Sequence, residues 1–389
     1  MSTDTSIPEQ FTGYAAFEPQ GDNFTLKKHS YTPRPFEEDD IDIKVSACGI
    51  CGSDIHVLRS GWGPSQYPAI VGHEIVGRVV RAGNNSGHQV GDLVGVGAQC
   101  NSCRQCAACK DNNENYCKKA WCATYQGSLK NGQYTQGGYA DFYRSPGHFA
   151  VKIPEGLDEK VAAPLLCAGE SVRLPLIRTS LTFGHLLGVT VFSPLSHYGA
   201  GPGKRVGVIG IGGLGHLGIQ FSKALGAETF ALSTSKSKEA DCKAMGADGV
   251  LVTKDPKALL KDYAGTFDLL IGTSFAADMP FDTLFLPLLK PRGHIVQVGL
   301  PEERLPGIMP QAILGKSITG SLIGSPAEIK QMFEIAVKHN IKPWIQERSM
   351  SDAQQAVQGE LFLLRVVLRV SYLSCLQTCT KARHDTDTS

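Results

Sequence analysis

The chain has 389 residues, 42% of them hydrophobic, with Lys+Arg 38 against Asp+Glu 37. That length predicts two domains with sizeable cores, and the near-zero net charge argues against a nucleic-acid or anionic-membrane partner. The N-terminus lacks the basic start and apolar core of a secretory signal, and no apolar run is long enough for a membrane span, so a cytoplasmic location is expected.

In chain order, the first 45 residues carry short alternating runs such as Ile41, Ile43 and Val45, which predict β-strands. C-G-I-C-G-S-D-I-H follows at 48–56, and V-G-H-E at 71–74. Zinc binds thiolate and imidazole, and a catalytic zinc keeps one position open. Cys51 and His73 are therefore candidate ligands, and Cys167 in A-P-L-L-C-A-G is the candidate third. The alternative for Cys48 and Cys51 is a pair of small buried residues. Trp62 and Tyr67, in the turn-rich loop between the two motifs, could wall an apolar pocket or serve simple packing. Glycine-broken alternation over 75–96 reads as the body of an antiparallel β-rich domain.

The 12 cysteines cluster, which in a cytosolic chain reads as metal sites rather than disulfides. The densest group fits C-x2-C-x2-C-x7-C at Cys103, Cys106, Cys109 and Cys117, and four thiolates close a structural zinc. Cys100 precedes this set by the same step of three, so a ligand set shifted to begin there is the alternative; Cys122 reads as a plain thiol.

A buried run over 206–209 passes straight into Gly210, Gly212, Gly213, Leu214 and Gly215, and a helical pattern follows. Strand, G-x-G-x-x-G turn and helix in that order form a dinucleotide site, with the pyrophosphate at the helix N-terminus. The next strand ends in Ser233, Thr234 and Ser235, followed by Lys236, Ser237 and Lys238. Hydroxyls and a cation, with no acidic residue, suit the 2′-phosphate of NADP, Lys238 or Lys236 supplying the charge. The other reading is a solvated turn beside NAD. Further short strands over 249–252, 267–271 and 294–298 complete a doubly wound parallel sheet, and 326–340 predicts an amphipathic helix.

On these motifs the chain resembles the zinc-dependent medium-chain alcohol dehydrogenases, most of all the cinnamyl alcohol dehydrogenase branch with its fungal NADP-dependent members. The resemblance runs over about residues 10–358 apart from one segment. It implies an α/β fold: a GroES-like β-rich catalytic domain over 1–168 and 326–389, and a Rossmann doubly wound parallel-sheet domain over 189–325. It implies two Zn2+ per subunit, NADP(H), an alcohol or aldehyde substrate and a homodimer. Cys51, His73 and Cys167 would hold the catalytic zinc, with Glu74 as an exchangeable ligand. Asp54 would orient a ligand from behind, and Ser53 would pass the substrate proton towards His56. Trp62 and Trp121 would line the aldehyde pocket.

Two stretches depart from the family pattern. Residues 170–188 intervene between C-A-G and V-T-V-F-S-P-L, which family members join almost directly. This reads as a retained intron, a genuine extra loop being the alternative. From about 358 the expected final helix and strand give way to L-F-L-L-R-V-V-L-R and a polar tail, which reads as a frameshift or mis-spliced exon. The altered end is expected to cost the β-rich domain its terminal strand, leaving backbone groups unpaired. Three readings result: an active NADP-dependent alcohol dehydrogenase, an impaired NADP-binding isoform with a displaced Cys167, and a polyol dehydrogenase on the same scaffold.

Overall fold

The computed structural model describes residues 7–21, 25–129, 131–167, 188–274, 276, 278–299, 304–359 and 365–370. The departure at 170–188, Gly188 excepted, and the tail beyond 370 lie outside those residues.

The first half is built of short strands: Phe11–Ala16 (β1), Lys27–Tyr31 (β2), Asp40–Gly49 (β3), Ala69–Ile70 (β4), Ile75–Ala82 (β5), Leu93–Val96 (β6), Gln99–Asn101 (β7), Cys122–Ala123 (β8), Phe142–Pro146 (β9) and Ala150–Lys152 (β10). One short helix, Gly52–Leu58 (α1), leaves β3 directly. Helices Glu159–Leu165 (α2) and Val189–His197 (α3) lead to Arg205–Ile209 (β11), Glu228–Ser233 (β12), Gly249–Val252 (β13), Phe267–Gly272 (β14), Leu289–Gln297 (β15) and Ser317–Gly320 (β16). Gly213–Ala224 (α4) joins β11 to β12, and Glu239–Ala244 (α5) follows β12. Pro326–Lys338 (α6) returns the chain to Ile345–Ser349 (β17) and Arg365–Arg369 (β18).

β11 to β16 form one parallel sheet in the order β13-β12-β11-β14-β15-β16. Both faces of such a sheet are covered, so its strands read as apolar runs rather than alternations. Val206 packs with Leu214, Leu217 and Phe221 of α4, and Val208, on the same face, lies against Gly218 of α4 with Ala231 and Cys242 beside it, while Ile209 on the opposite face packs with Leu232 and Leu270. α6 begins cleanly because Ser325 and Glu328 form a reciprocal capping box ahead of Pro326.

The β-rich sheet runs β10-β6-β5-β3-β18-β17, with β9 also on β3. Ile41, Ile43 and Val45 of β3 are fully buried. β18 corrects the expectation for the C-terminus, because the terminal strand is present. Arg365–Arg369 lies between β3 and β17, pairing Leu368 with Cys48 and Val367 with Glu347. The physical reason is pattern rather than family sequence. A strand inside a sheet covered on both faces needs consecutive apolar residues, and the run before Arg369 supplies them. Val367 is buried among Ala47, Cys51 and Leu165, and Leu368 on the opposite face among Cys48, Ile55 and Ile70.

Candidate active site and metal centres

α1 starts on Cys51, whose Sγ accepts from Ser53 N at 3.4 Å, while Asp54 Oδ2 accepts from Cys51 N at 2.9 Å. This is a capping box with sulfur in the usual hydroxyl role. C-G-S-D therefore fixes the cysteine at the helix tip and buries Asp54 behind it. Gly72 donates to the other Asp54 oxygen at 3.1 Å, and its φ of +101° aims the next residue, His73, inward. A side chain at Gly72 would collide with Tyr139. Cys167 follows α2, which is capped by Asp158 and packed into the same core.

These three turns bring Cys51, His73, Glu74 and Cys167 together, with ligand atoms all within 4.8 Å of one another. The Cys51 and Cys167 sulfurs are 3.4 Å apart, and His73 Nε2 touches Cys167 Sγ. On its other side, His73 Nδ1 lies 2.8 Å from Tyr125 Oη and 3.3 Å from Asp54 Oδ1. Tyr139 donates to Asp54 Oδ2 at 3.0 Å. Burial works against a charged His73, but the Cys51 and Asp54 charges outweigh it and push the imidazole up to about 10. Two thiols, an imidazole and a carboxylate, all buried, make an electronegative pocket that a cation would neutralise, and the donor types suit zinc.

The insertion does not displace Cys167 from this group. Gly188 packs so closely on Leu165 that a side chain there would collide with its backbone, and Thr190 Oγ1 donates to Cys167 O at 3.4 Å. The described residues on the two sides of the departure therefore meet.

Ser53 Oγ is 3.5 Å from Cys51 Sγ. His56 stands three residues further along α1, one helical turn away on the same side. Its ring stacks on Trp62 with centroids 4.5 Å apart, and Trp62 is 45% exposed. Trp121 is exposed just before β8, and Tyr67 Oη bonds the end of α1 through Leu58 O at 3.1 Å.

The second group is Cys103, Cys106, Cys109 and Cys117, again within 4.8 Å of one another. Cys103 N donates to Cys117 Sγ at 3.4 Å and Cys106 N to Cys103 Sγ at 3.3 Å. Burial opposes a charged Cys117, but the amides of Cys103, Ala120 and Lys119 bring its thiol down to about 6. Amides aimed at sulfur prepare thiolates for a metal, so this set fits zinc. The shifted set beginning at Cys100 does not form: Cys100 lies on β7 and its thiol donates to Ala123 O at 3.2 Å.

The glycine turn sits at the carboxyl end of β11. Gly210 has φ +88°, and a side chain at Gly215 would strike Gly210 O, so strand and helix can approach only with glycine there. The Leu214 side chain belongs to the core, which leaves its backbone for a ligand. Ser233 Oγ accepts from Ser235 N at 3.4 Å, and Thr234 is exposed. Lys238 Nζ donates to Ile211 O at 2.7 Å, so its ammonium group rests on the glycine turn.

Residues 37–155 match the family described as "Alcohol dehydrogenase GroES-like domain", and residues 213–338 the family described as "Zinc-binding dehydrogenase". The chain belongs to the zinc-dependent medium-chain alcohol dehydrogenases, with the GroES-like and Rossmann-type folds of that family. It is similar to NADP-dependent alcohol dehydrogenase 6 of Saccharomyces cerevisiae, at 40% identity over 90% of this chain and 92% of the relative. Among solved structures it is similar to a cinnamyl alcohol dehydrogenase of Sorghum bicolor, with TM-score 0.79, 35% identity and coverage of 92% and 97% of the two chains. The Helicobacter pylori cinnamyl alcohol dehydrogenase complexed with NADP(H) gives TM-score 0.77 at 29% identity, covering 92% of this chain and 98% of that one. No helix among the described residues is long and apolar enough to cross a membrane.

Tyr125, Tyr139 and Thr190 were not picked out from the sequence. Tyr139 lies in Q-G-G-Y-A-D-F, which reads only as turn and strand, and lone tyrosines carry no ligand spacing.

Proposed function

We propose that the chain interconverts primary alcohols and aldehydes, aromatic and medium-length, by hydride transfer with NADP(H). The observation that carries this is the buried Cys51–His73–Cys167 group in a chain that also presents a glycine turn topped by Lys238. Cys51, His73 and Cys167 would hold a catalytic zinc, with Glu74 as an exchangeable ligand. Such an ion, when bound, polarises a carbonyl or stabilises an alkoxide. The residues around it orient and move protons. Tyr125 and Asp54 hold the His73 ring from behind, keeping Nε2 turned to the thiolates. In alcohol oxidation Ser53 accepts the proton of the substrate hydroxyl as it gives its own to His56, and in aldehyde reduction the relay runs in reverse; the half-exposed Trp62 ring over His56 marks the way to solvent. Trp62 and Trp121 line the pocket. Cys103, Cys106, Cys109 and Cys117 would hold a second, structural zinc.

Gly210, Gly212, Gly213, Leu214 and Gly215 present backbone to the pyrophosphate. Ser233, Thr234, Ser235 and Lys238 recognise the 2′-phosphate. Residues 1–168 and 326–389 form the catalytic domain and 189–325 the NADP domain. The chain works as a homodimer, a reading supported by β16 at the rim of its sheet and by exposed Leu305, Met309, Ile313 and Leu314 nearby.

The test is NADPH oxidation by the full-length protein with cinnamaldehyde, beside its zinc content. Turnover with two zincs per subunit supports the proposal, whereas one zinc and no turnover would sink it. Ser53→Ala is expected to lower kcat by about two to three orders of magnitude while NADPH still binds. Unchanged kcat would remove Ser53 from the relay. Lys238→Ala is expected to weaken NADPH about tenfold and NADH by less than about twofold. Equal losses for the two cofactors, measured by fluorescence titration, would refute the 2′-phosphate contact.

A further inference from the structure

The parallel sheet places one row of strand ends at its carboxyl edge. Ile209 of β11 pairs with Gly272 of β14, Gly272 with Gln297 of β15, and Gln297 with Gly320 of β16. The residues after Gly320 therefore stand on the same edge as the glycine turn after Ile209. Ligands of doubly wound sheets bind outside this edge. This loop, Ser321 to Ser325, has two unusual features. Ile323 has φ +42°, a conformation that β-branched residues rarely adopt and that the surroundings must impose. Both backbone groups of the preceding residue are held by side chains from a remote part of the chain. Asn115 Nδ2 donates to Leu322 O at 2.8 Å, and Leu322 N donates to Tyr116 Oη at 3.3 Å.

Asn115 and Tyr116 lie in the single turn Glu114–Tyr116, immediately before Cys117 of the four-cysteine group. Asn115 is 2% exposed, so its amide, once the bond to the half-buried Leu322 is lost, would be left in a largely dry setting. The other side of the loop presses on α3, since a side chain at Gly324 would collide with Val189. The next residue of α3, Thr190, bonds the Cys167 carbonyl. The loop is thus gripped between the four-cysteine lobe and the helix that anchors a proposed catalytic ligand.

We infer that Asn115 and Tyr116 are positioning residues for the dinucleotide: by gripping the Leu322 backbone, the four-cysteine lobe sets the shape of the loop that closes the cofactor site. The lobe's role is then not confined to stability. It sets how tightly the cofactor is held through the Leu322 backbone. The inference rests on the NADP reading of the preceding section.

The test is titration of zinc-loaded full-length protein with NADPH, followed by the fluorescence of the bound nicotinamide. Asn115→Ala is expected to raise the NADPH Kd about tenfold. It should keep the wild-type zinc content and, at saturating NADPH, a kcat within about twofold of wild type. Tyr116→Phe, which removes only the hydroxyl of a half-exposed residue, should raise the Kd about two- to threefold with no change in melting temperature. A merely structural role would move the melting temperature and leave the split between cofactor KM and kcat untouched. Zinc-replete Asn115→Ala with an unchanged Kd overturns the inference. So does an Asn115→Ala variant that fails to fold, when Tyr116→Phe leaves the Kd unchanged. Wild-type protein that binds no NADPH would instead overturn the cofactor reading, and this inference with it.

Discussion

Cys51→Ala is expected to reduce aldehyde turnover by about a thousandfold, equivalent to roughly 4 kcal/mol of transition-state stabilisation. It should also lower the zinc content from two per subunit to one. Cys51 has three tasks at once. Its Sγ belongs to the buried donor group, its Sγ caps α1 at Ser53 N, and its backbone N–H binds Asp54. Alanine removes the sulfur and keeps the backbone bond, so Asp54 still backs His73. Cys51→Ser is the sharper comparison. A hydroxyl can cap α1 and so preserve the helix start, but it is a poor substitute for a thiolate at zinc. The serine variant should melt near wild type and still lose turnover and one zinc. Full zinc content and near-normal turnover in both variants would place the catalytic metal elsewhere.

Removing residues 360–389 is expected to lower the unfolding midpoint by about 10 °C or more, or to leave the protein insoluble. The deletion takes away β18 from between β3 and β17. Val367 and Leu368 are fully buried on opposite faces, and each such side chain contributes about 1.5–3 kcal/mol. β3 and β17 would also lose their shared partner. Against a net stability of about 5–15 kcal/mol that loss is severe. Leu368→Asp tests the same point without shortening the chain, since it puts a carboxylate among Cys48, Ile55 and Ile70. Thermal unfolding followed by circular dichroism decides it. A truncated protein that melts with the full-length chain would show that the strand contributes nothing.

What could be read from the sequence was local. The four-cysteine spacing, the strand–glycine–helix passage and C-G-S-D each act within a few residues, so their geometry follows from the backbone they sit on. The choice between Cys100 and Cys103 as first ligand was not local. Both keep the step of three, and the pairing of β7 with β8 turns Cys100 towards Ala123 O. Asp54 behind His73 was expected from the family resemblance, but Tyr125 was hidden for the same reason as the Cys100 choice, because it reaches the ring from a separate segment. The contact of Asn115 with Leu322 spans 207 residues and has no sequence signature. The C-terminus erred in the opposite direction. Judged by family sequence the last strand was missing, yet the slot beside β3 asks only for an extended segment that is apolar on both faces.

That slot bears on how the molecule is made. β3 is synthesised within the first 49 residues, whereas its neighbour β18 comes at 365–369. Every strand of the parallel sheet falls between 205 and 320, so that sheet can close before β18 has been made. The β-rich sheet cannot. Until β18 is made, the end of β3 at 47–49, beyond the stretch that β9 covers, has an open edge. The parallel sheet can therefore be complete while the β-rich sheet still waits for one of its internal strands.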